Sequence, residues 1–382
     1  MATYLDHAAT TPMRPEALEA VMAILTGPAG NPSGSHALAR RARKAVDEAR
    51  DVVAGHLGCE PREVVFTSGG TEADDLAVAG VAAARPGAVV CSAVEHHAVL
   101  STVEALGGRT VAVGPDGRID LDDLARTLDE VGEVALVSVM LANNEVGTIQ
   151  PLEAVAAVVR ERAPGAVLHT DAVQAAAWLD VAAAARPADL VSVSAHKLGG
   201  PQGVGALVVR EGVAIRPRML GGGQEQERRS GTHNVAGIVG LAAALSATAA
   251  QRDETAARVG ALRDRLADGL LAAVPGCRES GVRAAKVPGT ASLLLEGVES
   301  ESLLVLIDRA GICATAASSC ASGALEPSHV LAAMGVERAL AAGSLRLSLG
   351  WCSTAADVDH ALAAIPGIVA ELRDRSVPLV LR

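Results

Sequence analysis

Several ionisable side chains in this chain stand just past the ends of short apolar runs. His96 follows a run over 88–92, Asp171 follows 166–170, and His196 and Lys197 follow 190–194 in "SVSAHKLGG". A lysine in such a place is either a solvated loop charge or an amine held for nucleophilic chemistry. A carboxylate at the end of a buried strand needs a cation or several donors. Adjacent histidines, as in "EHHAVL" at 95–100, point in different directions, so they argue against a shared metal site. One of them serves either as a helix-capping group or as an acid/base beside a ligand. "SGGTE" at 68–72 combines two glycines with Thr71 before a helical stretch. That is either an ordinary strand–helix turn with a threonine cap or an anion cradle of exposed N–H groups. Asn143 and Asn144 after 134–140 fit a turn or a polar ligand equally.

The elements that must position these groups are legible as alternating strands and helices. Candidate strands lie at 64–67, 88–92, 110–113, 134–140, 166–170, 190–194 and 205–209. Most are continuous Val/Ala/Leu runs, as expected when both faces are buried. The pattern predicts an α/β layer fold with a mostly parallel, seven-stranded sheet, and ligands in such sheets sit beyond the strand carboxyl ends. A helix over about 234–274 follows, then runs at 291–295, 312–316 and 344–348 mixed with helices near 301–310, 328–334 and 354–373. These predict a smaller α+β domain. The expected division is 15–250 for the large domain, with 1–14 and 251–382 forming the small one.

Taken together, a threonine–glycine cradle, a histidine, an aspartate and a lysine on one sheet edge suit one cofactor, pyridoxal 5'-phosphate. Its aldehyde joins a lysine amine, and an aspartate partners its pyridinium nitrogen.

Composition narrows the class. The chain has 382 residues, half of them hydrophobic, with a formal net charge of -11. That charge argues against nucleic-acid binding, which needs clustered basic side chains. The basic run Arg40-Arg41-Ala42-Arg43-Lys44 reads as a solvated helix face. No signal peptide is visible at the start, and no apolar run approaches the ~20 residues of a membrane span. Six cysteines, at 59, 91, 277, 313, 320 and 352, form no CxxC pair, which fits a reducing, cytoplasmic setting.

The motifs "LDHAATTP", "TSGGTEADDLA", "EHHAVL", "NNEVGTIQP", "HTDAVQ", "SAHKLGGPQGVGAL", "GGGQEQERRSGT", "SSCASGALEPSHVLAAMG" and "SLRLSLG" occur in the order found in cysteine desulfurases. From about Tyr4 to near the C-terminus, the sequence closely resembles the NifS/IscS group of that family. The resemblance implies a class V, fold-type I pyridoxal-phosphate enzyme, acting as a homodimer. Such an enzyme converts L-cysteine to L-alanine and keeps the sulfur as a persulfide. By position it implies Lys197 as the Schiff-base lysine, Asp171 at the pyridinium nitrogen, Gln174 at the ring hydroxyl and His96 stacked on the ring. Gly70, Thr71, Ser194 and His196 would bind the phosphate, and Thr232 would reach the neighbouring subunit's phosphate. Asn144 and Arg346 would hold the substrate carboxylate. Cys320, in "ATAASSCASGA", would be the persulfide-forming thiol, and the other five cysteines would be packing residues. The persulfide would pass to an acceptor protein, an iron–sulfur scaffold or a tRNA or cofactor thiolation enzyme.

The sequence departs from the family in two places. Asp75 stands where the family usually has Asn, so it must point away from a phosphate. Ala317-Ser318-Ser319-Cys320 replaces the usual Gly-Ser-Ala-Cys, which stiffens the segment. Rival readings are selenocysteine lysis or another class V reaction, a non-catalytic sulfur relay, and a nucleotide-binding module. Cys320 opposes simple transamination, intact Lys197, Asp171 and His96 oppose the relay, and the missing Gly-x-x-x-x-Gly-Lys pattern opposes a P-loop.

Overall fold

The computed structural model describes residues 2–316 and 328–376. Its strands in chain order are β1 (Thr3–Tyr4), β2 (Val64–Thr67), β3 (Ala88–Ser92), β4 (Arg109–Val111), β5 (Val134–Ser138), β6 (Val167–Asp171), β7 (Leu190–Ser194), β8 (Gly205–Val209), β9 (Cys277–Glu279), β10 (Thr290–Leu295), β11 (Ile312–Cys313) and β12 (Ser344–Ser348). Seven of them form one sheet in the order β2-β8-β7-β6-β5-β3-β4. Neighbours from β4 to β7 run parallel, and β8 alone is reversed between β7 and β2. The carboxyl ends of β2, β3, β5, β6 and β7 therefore share one edge.

The strands are buried along nearly their whole length because helices cover both faces, as the unbroken apolar runs demand. One core includes Phe66, Val137, Leu168 and Val193, with Leu76, Leu136 and Leu207 packed on the opposite side of the sheet. A further core gathers Leu5, Leu266, Leu293, Ile307 and Leu347 around an antiparallel sheet, β12-β10-β9. In β10, Ala291, Leu293 and Leu295 enter that core while Leu294 faces Val330 and Leu331. This two-sided burial follows from the alternating period of a strand.

The helix Val235–Ala273 has 39 residues, about 60 Å at 1.5 Å per residue. Ile238, Leu241 and Leu245 belong to the first core, and Val259, Leu266 and Leu270 to the last. By length and composition it is apolar enough to cross a membrane, contrary to the expectation from the sequence. Half of its apolar window is buried in the fold, so it is a core helix.

Element edges differ from the sequence reading in instructive ways. β5 stops at Ser138, two residues early, and β6 runs one residue further to include Asp171. The run 312–316 pairs as a strand only over Ile312–Cys313. β9 was not expected: its three residues, Cys-Arg-Glu, carry no apolar signal.

Candidate active site

A cavity of about 310 Å³ lies at the shared carboxyl edge. Ten of the site residues expected from the sequence line it: Gly70, Thr71, His96, Asn144, Asp171, Gln174, Ser194, His196, Lys197 and Arg346. They come from the carboxyl ends of β2, β3, β5, β6 and β7, or the segments just after them, and from β12, so the sheet itself brings them together. Thr232 stands apart, in a separate pocket of about 110 Å³ with Ser68 and Arg229. Cys320 lies outside the described residues, as do Ala317, Ser318 and Ser319.

Lys197 ends the short turn Ala195–Lys197 that caps β7. Its Nζ donates to the carbonyl oxygens of Ala8 at 2.5 Å and Ala9 at 2.8 Å. Gln174 Nε2 donates to the same Ala8 oxygen at 2.7 Å. The segment just after β1 thus holds the lysine through its backbone.

Asp171 closes β6, is buried, and accepts the Val173 N–H at 2.8 Å. Burial lifts its carboxyl to about 6, against the pull of the Val173 N–H and the Lys197 ammonium.

His96 caps a helix, and its ring also faces the cavity. Its Nδ1 accepts the Ala98 N–H at 3.1 Å, capping the helix His97–Ala105, and its ring lines the cavity. That cap fixes the proton of the neutral ring on Nε2. Burial, then the nearby Lys197 charge, lowers its pKa to about 4, so the ring is neutral at physiological pH. Burial lowers His196 to about 4 as well, and its Nδ1 lies 3.2 Å from the Thr10 hydroxyl.

The helix Gly70–Ala84 begins directly at the cavity wall, and no side chain of its N-cap residue, Gly69, caps its first-turn N–H groups. A side chain at Gly70 would meet Val173 Cγ2 at 2.8 Å, and one at Gly205 would meet the Gly69 backbone at 2.8 Å. Both positions require glycine for the loop to lie this close to the sheet. Ser194 Oγ is buried at the same wall with no hydrogen-bond partner among the described residues.

Arg346 is buried in β12. Its guanidinium donates to Asn144 O at 2.8 Å and pairs with Asp6 at 2.9 Å, and its Nε has no hydrogen-bond partner among the described residues. Next to Asn144, Glu145 is buried and accepts the Ser328 hydroxyl. Burial raises its carboxyl to about 7.

Asp75 pairs with exposed Arg218 at 3.0 Å and does not line the cavity, so its extra charge is directed outward. The five described cysteines are free: Cys91 is buried, Cys59 and Cys277 are half-buried and pack against the cores, Cys313 is half-buried, and Cys352 is exposed. Burial raises the thiols of Cys59 and Cys277 to about 11, and those of Cys91 and Cys352 also shift upward.

Sequence reasoning missed Ala8, Ala9, Asp74, Met140 and Val173, which also line the cavity. Asp74 carried a usable signal: it stands three residues after Thr71, on the same helix face.

A family model described as aminotransferase class V matches residues 3–361. The "IscS-like cysteine desulfurase" of Mycobacterium tuberculosis is 46% identical over 383 aligned positions, covering 97% of each chain. The "Cysteine desulfurase IscS" of Methanosarcina thermophila is 41% identical, over 98% of this chain and 94% of that protein. Among solved structures, a "NifS-like protein" superposes with a TM-score of 0.89 at 35% identity, over 97% of this chain and all of the other. DndA from Streptomyces lividans gives 0.74 at 35% identity, over 91% of this chain and 99% of that one. This chain belongs to the class V aminotransferases and, within them, to the NifS/IscS-like cysteine desulfurases.

Proposed function

We propose that the chain converts L-cysteine and the Cys320 thiol to L-alanine and a Cys320 persulfide, using pyridoxal 5'-phosphate. The observation that carries this is the single cavity lined by Lys197, Asp171, His96, Arg346 and the Gly70–Thr71 cradle. The residues present fit the cofactor. The uncapped N–H groups of the first turn at Gly70 and Thr71 and the orphaned Ser194 hydroxyl suit a phosphate, with His196 beside them. Asp171 suits a protonated ring nitrogen, Gln174 a ring hydroxyl, and neutral His96 a stacking face. When bound, the cofactor supplies an aldehyde for amine condensation and an electron-poor ring that accepts the electrons of a breaking bond.

The chain's own groups do the rest. Arg346, with Asn144, orients the substrate carboxylate through its unsatisfied Nε. Lys197 Nζ, once released, moves the substrate Cα proton. His96 Nε2 handles the proton of the substrate amine or thiol, its neutral ring being able to accept one. Cys320 attacks the substrate sulfur as thiolate. The C–S bond breaks, carbon gains a proton, and the sulfur stays on Cys320.

Cys320 delivers its sulfur to an acceptor protein thiol, of an iron–sulfur scaffold or a thiolation enzyme. The enzyme is a homodimer in which Thr232 completes the neighbouring phosphate site; its separation from its own cavity supports that reading. The two cores support the division into a large domain at 15–250 and a small one at 1–14 and 251–382. The free described cysteines support a cytoplasmic setting. The test is to supply L-cysteine to the cofactor-loaded protein. Stoichiometric alanine with one added sulfur on Cys320 is expected, and pyruvate, or no alanine, would defeat the proposal.

A further inference from the structure

Below the cavity floor lies a polar layer that the proposed chemistry does not use. Asp74 is 1% exposed, and its Oδ1 has no hydrogen-bond partner among the described residues. That oxygen stands 3.6 Å from Nε2 of His169, which is fully buried in β6 two residues before Asp171. Hydroxyls from the flanking strands hold the imidazole: Ser138 Oγ lies 2.8 Å from Nδ1 and Ser192 Oγ 3.0 Å from Nε2. Glu95, after β3, is also fully buried. Its Oε1 accepts the Met140 N–H at 2.7 Å, and among the described residues its Oε2 has no hydrogen bond of good geometry.

Asp74, Glu95 and Asp171 are thus three carboxyls in one dry region. Among the described residues no lysine or arginine forms an ion pair with Asp74 or Glu95. The titratable groups facing Asp74 are Asp171 and His169 from β6 and Glu95 from the turn after β3. Like charges so close and so poorly solvated cannot all ionise. Lys197 favours the negative charge on Asp171. Burial and the Asp171 charge push Asp74 well above the ordinary carboxylate range, and the Ser192 hydroxyl offsets this only in part. Burial holds His169 neutral, at about 3, so it supplies no compensating charge.

We infer that Asp74 is a neutral carboxylic acid and acts as a positioning residue that leaves the floor's one negative charge on Asp171. In the cofactor-loaded enzyme this inference rests on the proposed function, because Asp171 is where the ring nitrogen would pair. The protonation of Asp74 itself does not.

Infrared difference spectra of wild type against Asp74→Asn, near neutral pH, read the group directly, with or without cofactor. Loss of one protonated-carboxyl carbonyl band is expected; loss of a carboxylate band pair would overturn the inference. In the loaded protein, Asp74→Asn exchanges one neutral group for another. The pH midpoint of the visible absorption should move by less than about 0.3 unit, and a shift of about one unit would show that a charge had been removed. Should the variant fail to fold, wild type carrying carbon-13 aspartate carboxyls serves instead: a buried protonated aspartate band must be present, and its absence overturns the inference. A protein that takes up no cofactor would sink the desulfurase proposal while leaving the infrared result standing.

Discussion

Lys197 Nζ sits 2.5 Å from the carbonyl oxygen of Ala8, so its amine is held by backbone from the chain's first ten residues. On the proposed function, cofactor binding would exchange that hydrogen bond for a covalent link. Lys197→Ala should therefore lose the visible absorption of the lysine-bound cofactor and at least about 10³-fold in turnover. Absorption spectra and alanine release check both; a variant that kept its colour and rate would remove Lys197 from the chemistry.

Arg346→Lys keeps a charge for Asp6 but gives up the planar fork. The expected result is a KM for L-cysteine raised about tenfold or more, with kcat changed much less. Steady-state kinetics separate the two, and an unchanged KM would exclude Arg346 from carboxylate recognition.

Cys320→Ala should form no persulfide, while Cys352→Ala should form it at the wild-type rate. Cys352 is exposed, yet its thiol is shifted away from the reactive thiolate form. Intact-mass measurement after L-cysteine treatment decides between them.

Glu145 has its carboxyl raised to about 7 in the folded chain, against an ordinary value near 4.5. A raised acid stabilises the fold while protonated and loses that contribution as pH climbs through its folded value. Between about pH 5 and 8, wild type should lose about 2 kcal/mol relative to Glu145→Gln. Denaturant titrations of the two proteins across that range test this; parallel curves would mean that Glu145 titrates normally.

Gly205→Ala would force a methyl group against the Gly69 backbone, 2.8 Å away. A loss of about 1–3 kcal/mol in stability is expected, together with weaker cofactor retention, because the displaced residue adjoins the Gly70 cradle. Thermal melts with and without added cofactor check it.

Much of this was readable beforehand because buried parallel strands advertise themselves. 64–67, 88–92, 190–194 and 205–209 are rich in Val, Ala and Leu and recur in β2, β3, β7 and β8 without shift. Lys197, Asp171 and His96 were legible as polar residues placed where such strands stop. β9 was invisible because three residues of Cys-Arg-Glu gain their strand only by pairing with β10. Asp74 was overlooked since Asp74-Asp75 reads as one acidic pair. Only the helix rotation turns the first into the floor and the second toward Arg218. Ala8 and Ala9 lie within "LDHAATTP", yet the part their carbonyls play was not legible there, because a backbone oxygen leaves no trace in residue type.

The 39-residue helix rooted in both cores has a thermodynamic corollary. Melting either hydrophobic cluster alone would strip half of that rod of its packing and expose it to water. The two clusters should therefore come apart together, in one sharp calorimetric peak rather than two.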